Sequence, residues 1–329
     1  MDDMLFKREW LDCDMLVVMG PTASGKTAFA VRLARRINSL CKTGEIPYSR
    51  CHIISADSRQ VYSGMDIGTG KDIAEYREIP YHLIDIAQAG EKYDLFRYQK
   101  DFQIVYKRLR DENIFPILCG GSGLYIEAVC KGYDLKEVAP DPQLRKELEQ
   151  KTMEELVSIL TDLKAKHGTA PHNNTDFDTK KRVIRAIEIE LAYDHPSKNK
   201  EAAEDSENNT QDNLPQQEEF FKGPEKVHYI ALNPDREIRN QRIDRRLEER
   251  LQSGMVEEVK ALLDKGIKPD DLIYYGLEYK FVTQYLLGEI SYDWMKEHLA
   301  IAIHQFAKRQ MTWLRGMERR GIKIEWIKV

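Results

Sequence analysis

Residues Gly20-Pro-Thr-Ala-Ser-Gly-Lys-Thr27 spell G-x-x-x-x-G-K-T, and this octet constrains the chain more than any other stretch. The apolar run before it, residues 16–19, suits a buried strand, and residues 28–37 after it have helical composition without a breaker. Between a strand and a helix, such a loop curls so that successive backbone N–H groups point at phosphate oxygens, and the helix N-terminus adds partial positive charge. Gly20, Pro21, Thr22, Ala23, Ser24, Gly25, Lys26 and Thr27 are therefore the expected phosphate cradle. Lys26 would reach phosphate oxygens and the Thr27 hydroxyl would hold Mg2+. The octet implies a phosphorylated ligand and leaves the ligand and the reaction open.

Further strands are expected at 52–57, ending on Asp57, at 81–86, closing on Asp85, and at 114–119, running into Gly120-Gly-Ser-Gly123. Residues 93–113 have helical spacing. Strands alternating with helices predict an α/β fold, a P-loop NTPase-like parallel sheet flanked by helices. Ligands bind such sheets at the carboxyl ends of the strands, so the loop 20–27, Asp57, Asp85 and the loop 120–123 are expected around one cleft. This first part of the core spans 1–131. Residues 132–193 show helical patterns at 141–166 and 179–191 and read as a helical insertion domain. Residues 194–225 are poor in apolar side chains and read as an acidic flexible linker. Residues 226–329 complete the core, with strands at 227–232 and 322–329, helical segments at 236–263 and 294–316, and Gly276-Leu-Glu-Tyr-Lys280 within 272–287. The 236–263 segment carries Arg239, Arg242, Arg245, Arg246 and Arg250, and its interleaved Asp244, Glu248 and Glu249 suggest pairing within the helix.

Composition excludes some classes. No run approaches the roughly 18 apolar residues of a membrane span. Residues 1–10 lack the basic-then-apolar order of a signal peptide, so a cytoplasmic location is expected. Five scattered cysteines without C-x-x-C fit reduced thiols and speak against a zinc site. The net charge of −5 is carried entirely by Lys198 to Glu225, where eight acids face three bases. The remainder is formally neutral and can present local basic faces to a nucleic acid.

Several runs together resemble the tRNA dimethylallyltransferases, the isopentenyltransferase family. They are the octet, Ser55-Ala-Asp-Ser-Arg-Gln-Val-Tyr62, Met65-Asp-Ile-Gly-Thr69, Tyr81-His-Leu-Ile-Asp85, Gly120-Gly-Ser-Gly-Leu-Tyr125, Arg182-Val-Ile-Arg-Ala-Ile-Glu188, Ser253-Gly-Met-Val-Glu-Glu-Val259 and Ala307-Lys-Arg-Gln-Met-Thr-Trp313. The resemblance implies transfer of a dimethylallyl group from dimethylallyl diphosphate to N6 of the adenosine at tRNA position 37. It implies partners in the tRNA anticodon loop and the allyl diphosphate, a monomer, no membrane, and Mg2+ as cofactor. Asp57 matches the family's base, with Lys26 and Thr22 as further catalytic groups; a Mg2+-shell acid or a helix cap is the other reading of Asp57. Asp57, Ser58, Arg59, Gln60, Ser122, Tyr279, Lys280, Lys308, Arg309 and Gln310 match segments that meet the RNA. Lys181, Arg182 and Arg185 match a basic stretch of the insertion, with Arg185 facing diphosphate or RNA; an exposed helix face paired with Glu188 and Glu190 is the alternative. Ser122 stands for the family's threonine. Gly70 stands where the family usually has alanine, and Glu278 where a glycine is common, which weakens the residue assignment there.

Three other functions compete. A P-loop small-molecule kinase would suit the octet and insertion but not the Asp-Ser-Arg-Gln segment. An adenylate isopentenyltransferase would share the donor site and need no RNA-contacting elements. A non-catalytic RNA-binding protein would not need Lys26, Thr27 and Asp57.

Overall fold

Met15–Met19 offers five apolar side chains in a row, so the strand it forms, β1, has no face for solvent and is buried on both sides. The computed structural model describes residues 6–135, 137–167, 177–194 and 221–329. Most of the expected acidic linker lies outside them. The chain divides into two compact units, Met1–Tyr133 with Phe221–Val329, and Asp134–Phe220.

In the first unit, β1 is flanked by β6 (Ile114–Gly120) and β7 (Val227–Leu232). Beyond β6 come β2 (Arg50–Ser55) and β4 (Tyr81–His82), and beyond β7 comes β8 (Ile324–Ile327), giving the order β4-β2-β6-β1-β7-β8. Every pairing in this sheet is parallel. Side chains alternate across β1. Met15, Val17 and Met19 join the core that contains α2 (Leu95–Asp111) and α3 (Gly123–Lys131). Leu16 and Val18 join the opposite core, against α1 (Lys26–Lys42). The expected α/β parallel sheet is the observed one.

Two expectations change. The run 81–86 makes only a two-residue strand, because Leu83 and Asp85 take left-handed backbone (φ 61° and 56°) and turn the chain away. Ala87–Gln88 (β5) instead pairs with Tyr62–Ser63 (β3) in a separate small sheet. The region 236–263 is two helices, α7 (Arg236–Gln252) and α8 (Met255–Asp264), broken at Gly254 with φ 98°. After them come α9 (Pro269–Tyr274), α10 (Leu277–Leu286) and α11 (Tyr292–Arg319).

The second unit contains α4 (Pro142–Leu148), α5 (Met153–His167) and α6 (Lys180–Asp194), packed through Leu148, Leu156, Leu160, Val183, Ile184 and Ile187. Asp141 caps α4, accepting from the N–H groups of Gln143 and Leu144.

A histidine pair joins the edge strand β4 to its neighbour β2. His52 Nδ1 on β2 and His82 Nε2 on β4 lie 2.9 Å apart with the rings stacked. One nitrogen must donate and the other accept, which favours two neutral rings. Burial lowers both histidines to about 4, helped at His52 by His82 and at His82 by Arg108. The unfolded chain therefore binds protons that the folded chain refuses. Stability from this pair is complete above an ordinary histidine value and is lost as pH falls from about 6.5 toward 4. Unfolding free energies from urea titrations should drop across that window by roughly 2 kcal/mol, a figure discounted for partial solvation. His52→Asn should show a flatter pH profile there.

Candidate active site

A cavity of about 930 Å³ opens at the carboxyl ends of β1, β2 and β6 in the first unit. Residues 22–27 of the phosphate loop form one wall. The loop's shape needs left-handed backbone at Ala23 (φ 59°) and Gly25 (φ 79°), after which α1 begins at Lys26. At Gly20 a Cβ would fall 2.7 Å from Ser24 Oγ, so a side chain there would displace the loop. Gly20 and Pro21 are buried behind the cradle. Ser24 Oγ is buried with no hydrogen-bond partner among the described residues, which suits a site shaped for an anion that supplies its own acceptors. Burial lowers the pKa of the Lys26 ammonium, and the negative charge of Asp57 opposes that shift.

The opposite wall begins where β2 ends. Asp57 lies two residues beyond Ser55, and one of its carboxylate oxygens accepts the Arg59 N–H at 3.0 Å. Ser122, past the end of β6, accepts the Ser58 N–H at 3.0 Å and donates to Ser58 Oγ at 3.2 Å. Its hydroxyl thus fixes the segment that carries Asp57. The two strand ends can approach this closely only because residue 120 is glycine, whose Cβ would sit 2.1 Å from the Ala56 carbonyl oxygen. The Gln60 amide donates to the Gly70 carbonyl, and the Arg59 guanidinium lies 5.4 Å from the Tyr274 ring centre.

The third wall was not legible in the sequence. Arg242, Arg245, Arg246 and Arg250 of α7 line the cavity. Pairing within the helix holds only for Arg245, 3.7 Å from Glu249. Arg246 reaches Asp72 at 2.9 Å and Arg250 reaches Glu278 at 3.4 Å, while Asp244 pairs with His304 and Glu248 with Lys296. Arg250 and Glu278 are the more buried of these pairs, and there a guanidinium without an acid would be poorly solvated. The loop before Asp72 is clamped by Glu258, whose carboxylate accepts N–H groups of Asp66, Ile67 and Gly68 at 2.8, 2.8 and 3.0 Å and the Tyr279 hydroxyl at 2.7 Å.

Among the other expected site residues, Lys280, Arg309 and Gln310 line the cavity. Tyr279 also reaches it, with its ring against Gly68 and its hydroxyl on Glu258. Lys308 is exposed and points elsewhere on α11. Asp85 does not line the cavity: its carboxylate, like that of Asp66, holds the buried ammonium of Lys71. In the second unit, the Arg185 guanidinium donates to Glu188 at 3.2 Å and to the Val138 carbonyl at 2.8 Å. Lys181 and Arg182 are exposed, the latter 3.3 Å from Asp178.

Gln310 links the parts. Its Oε1 accepts the Thr22 N–H at 2.7 Å, and its Nε2 donates to the Gly121 carbonyl at 3.0 Å. One side chain from α11 thereby holds the loops after β1 and β6.

A glycine-rich loop between a strand and a helix, a strand-end carboxylate and a row of arginines around one cavity make a site whose chemistry suits an anionic ligand. A family model described as IPP transferase matches residues 60–317. The tRNA dimethylallyltransferase 1 of Parabacteroides distasonis is 50% identical over 318 residues, covering 95% of this chain and 92% of that one. The tRNA dimethylallyltransferase 2 of Shewanella sediminis is 42% identical over 315 residues, covering 95% and 93%. The crystal structure of a full-length tRNA isopentenylpyrophosphate transferase from Bacillus halodurans aligns with a TM-score of 0.63 at 29% identity, covering 96% and 89%. A eukaryotic dimethylallyltransferase acting on tRNA, 20% identical, shares the fold with a TM-score of 0.67, covering 95% of this chain and 73% of that one. The chain belongs to the IPP transferase family. Among the described residues, no helix is long and apolar enough to cross a membrane.

Gln310→Ala should leave the Thr22 N–H and the Gly121 carbonyl without their partner and destabilise the protein by about 1–3 kcal/mol. Chemical denaturation measures this, and an unchanged midpoint would show that the bridge contributes nothing.

Proposed function

We propose that this chain transfers a dimethylallyl group from dimethylallyl diphosphate to N6 of the adenosine at position 37 of tRNAs, releasing diphosphate. The observation that carries the reading is the placement of the phosphate cradle and the Asp57 carboxylate on walls of one cavity. In this reading the cradle grips a leaving group. As the allylic C–O bond breaks, its electron pair goes to the diphosphate, and the loop N–H groups and Lys26 stabilise charge where it builds. The incoming anion also favours the charged form of Lys26, opposing the effect of burial. The N6 amine forms the new C–N bond and gives its proton to Asp57, acting as general base. Ser122 and the Arg59 N–H hold that carboxylate's segment in place. The adenine leaves its stack to enter the cavity, where Arg59, Tyr274 and Phe306 offer surfaces for stacking and RNA contact.

Magnesium fits as a partner of the diphosphate. Thr27 offers one hard oxygen at the cavity wall, and no group of three or more His, Cys, Asp or Glu residues able to hold a metal is found among the described residues. Thr27 would hold Mg2+ together with diphosphate oxygens and water, and the ion would supply positive charge beside the leaving group.

Incubation with radiolabelled dimethylallyl diphosphate tests the reading, with bulk tRNA or AMP as acceptor. Label should enter tRNA alone; label in AMP would make this a free-nucleotide transferase. Asp57→Asn should slow transfer by about 10²- to 10⁴-fold with tRNA binding retained, and full activity would remove Asp57 as the base. Lys26→Ala should weaken inhibition by pyrophosphate; unchanged inhibition would take Lys26 out of the donor site.

A further inference from the structure

Gly70 and Glu278, the two positions set apart in the sequence, meet at one side chain. A Cβ built on Gly70 would lie 1.6 Å from Arg250 Nη2 and 2.3 Å from Arg246 Nη2, and the residue has φ +62°. Both guanidinium tips therefore rest on a bare Cα in the left-handed region. Two cations this close repel, and each has its own acid: Asp72 lies 2.9 Å from Arg246 and Glu278 lies 3.4 Å from Arg250. All five residues line the cavity. Burial disfavours the charged forms of Arg250 and Glu278, and each acts on the other to keep it ionised. The wall is electrically coupled to the cradle, since the charge of Arg246 acts on Lys26 and that of Asp57 acts on Glu278.

We propose that Gly70, Arg250 and Glu278 form a charge-balancing unit that sets how tightly the donor site holds diphosphate. Arg250 adds one more cation to a wall that already carries Arg242, Arg245 and Arg246, Glu278 cancels it, and Gly70 leaves room for the pair. The proposal rests on the donor-site reading above. With Glu278 neutral, the wall would hold released diphosphate too firmly, and product release would limit turnover. With Arg250 gone, a buried carboxylate would face the anion.

The test uses the full-length enzyme with tRNA and dimethylallyl diphosphate at about pH 8, well above ordinary carboxylate values. Donor KM, kcat and inhibition by inorganic pyrophosphate are measured. Glu278→Gln should lower the donor KM and tighten pyrophosphate inhibition, and Arg250→Met should do the reverse. Each shift should be on the order of tenfold, the effect of one unit charge about 10 Å away in a protein-like dielectric. The double variant should return close to wild type. Gly70→Ala should disturb the parent enzyme more than the double variant, where the nearer of the two guanidinium tips is gone and only that of Arg246 remains. A pair that merely braced the wall would weaken binding in both single variants, so weaker or unchanged pyrophosphate inhibition in Glu278→Gln overturns the unit. Glu278→Gln preserves shape and decides the matter alone if Arg250→Met fails to give a cooperative thermal melt. A wild-type enzyme that transfers no label, or that pyrophosphate does not inhibit, would overturn the donor-site reading itself.

Discussion

The phosphate loop is braced from outside as well as by its own Ser24 N–H to Pro21 carbonyl bond. Backbone N–H groups can grip an anion only if they already point at it, and ordering them during binding would consume the affinity they supply. The Gln310 amide solves this from 288 residues away, bonded to Thr22 and to the loop after β6. Around that bridge, close packing removes other freedom. A Cβ on Gly121 would come 2.6 Å from Gln310 Nε2 and push that amide aside, and one on Gly123 would meet Trp313 at 2.1 Å. The run of glycines after β6 is thus explained by the helix lying on it.

Charge is handled with the same economy of movement. The site gathers Lys26, Lys280 and seven arginines, four of them from α7, in one cavity, yet Arg246 and Arg250 each have an acid within reach. Lys71 shows the other use of a buried cation: its ammonium ties Asp66, Asp85 and the Tyr62 carbonyl together beneath the wall. The Glu258 carboxylate does for the 66–68 backbone what an anion does for a phosphate loop, collecting three N–H groups. Here the anion belongs to the protein and the result is a rigid wall.

Legibility in the sequence followed distance along the chain. The octet at 20–27 could be read because strand, loop and helix are contiguous, and the strand ends at Asp57 and Ser122 because parallel sheets align their termini. The arginines of α7 misled because Glu249, four residues from Arg245, satisfies a local rule that does not extend to Arg246 and Arg250. Their partners, Asp72 and Glu278, come from other elements, and no local pattern announces them. Asp85 misled for a related reason: an apolar run ending in a carboxylate reads as a strand end, but left-handed backbone at Leu83 and Asp85 turned it toward Lys71.

The strand order carries a consequence for how the molecule is made. β1, the strand that bears the phosphate loop, is completed on one side by β7, with Met15 beside Val227, and β8 then joins β7 from the last residues of the chain. A ribosome therefore delivers the loop early and its supports last. Until β7 emerges, one edge of β1 has no partner strand, an invitation to mispairing that chaperones exist to guard. Such long-range closure also slows folding. The nascent chain holds the motif that names its chemistry long before it holds the site.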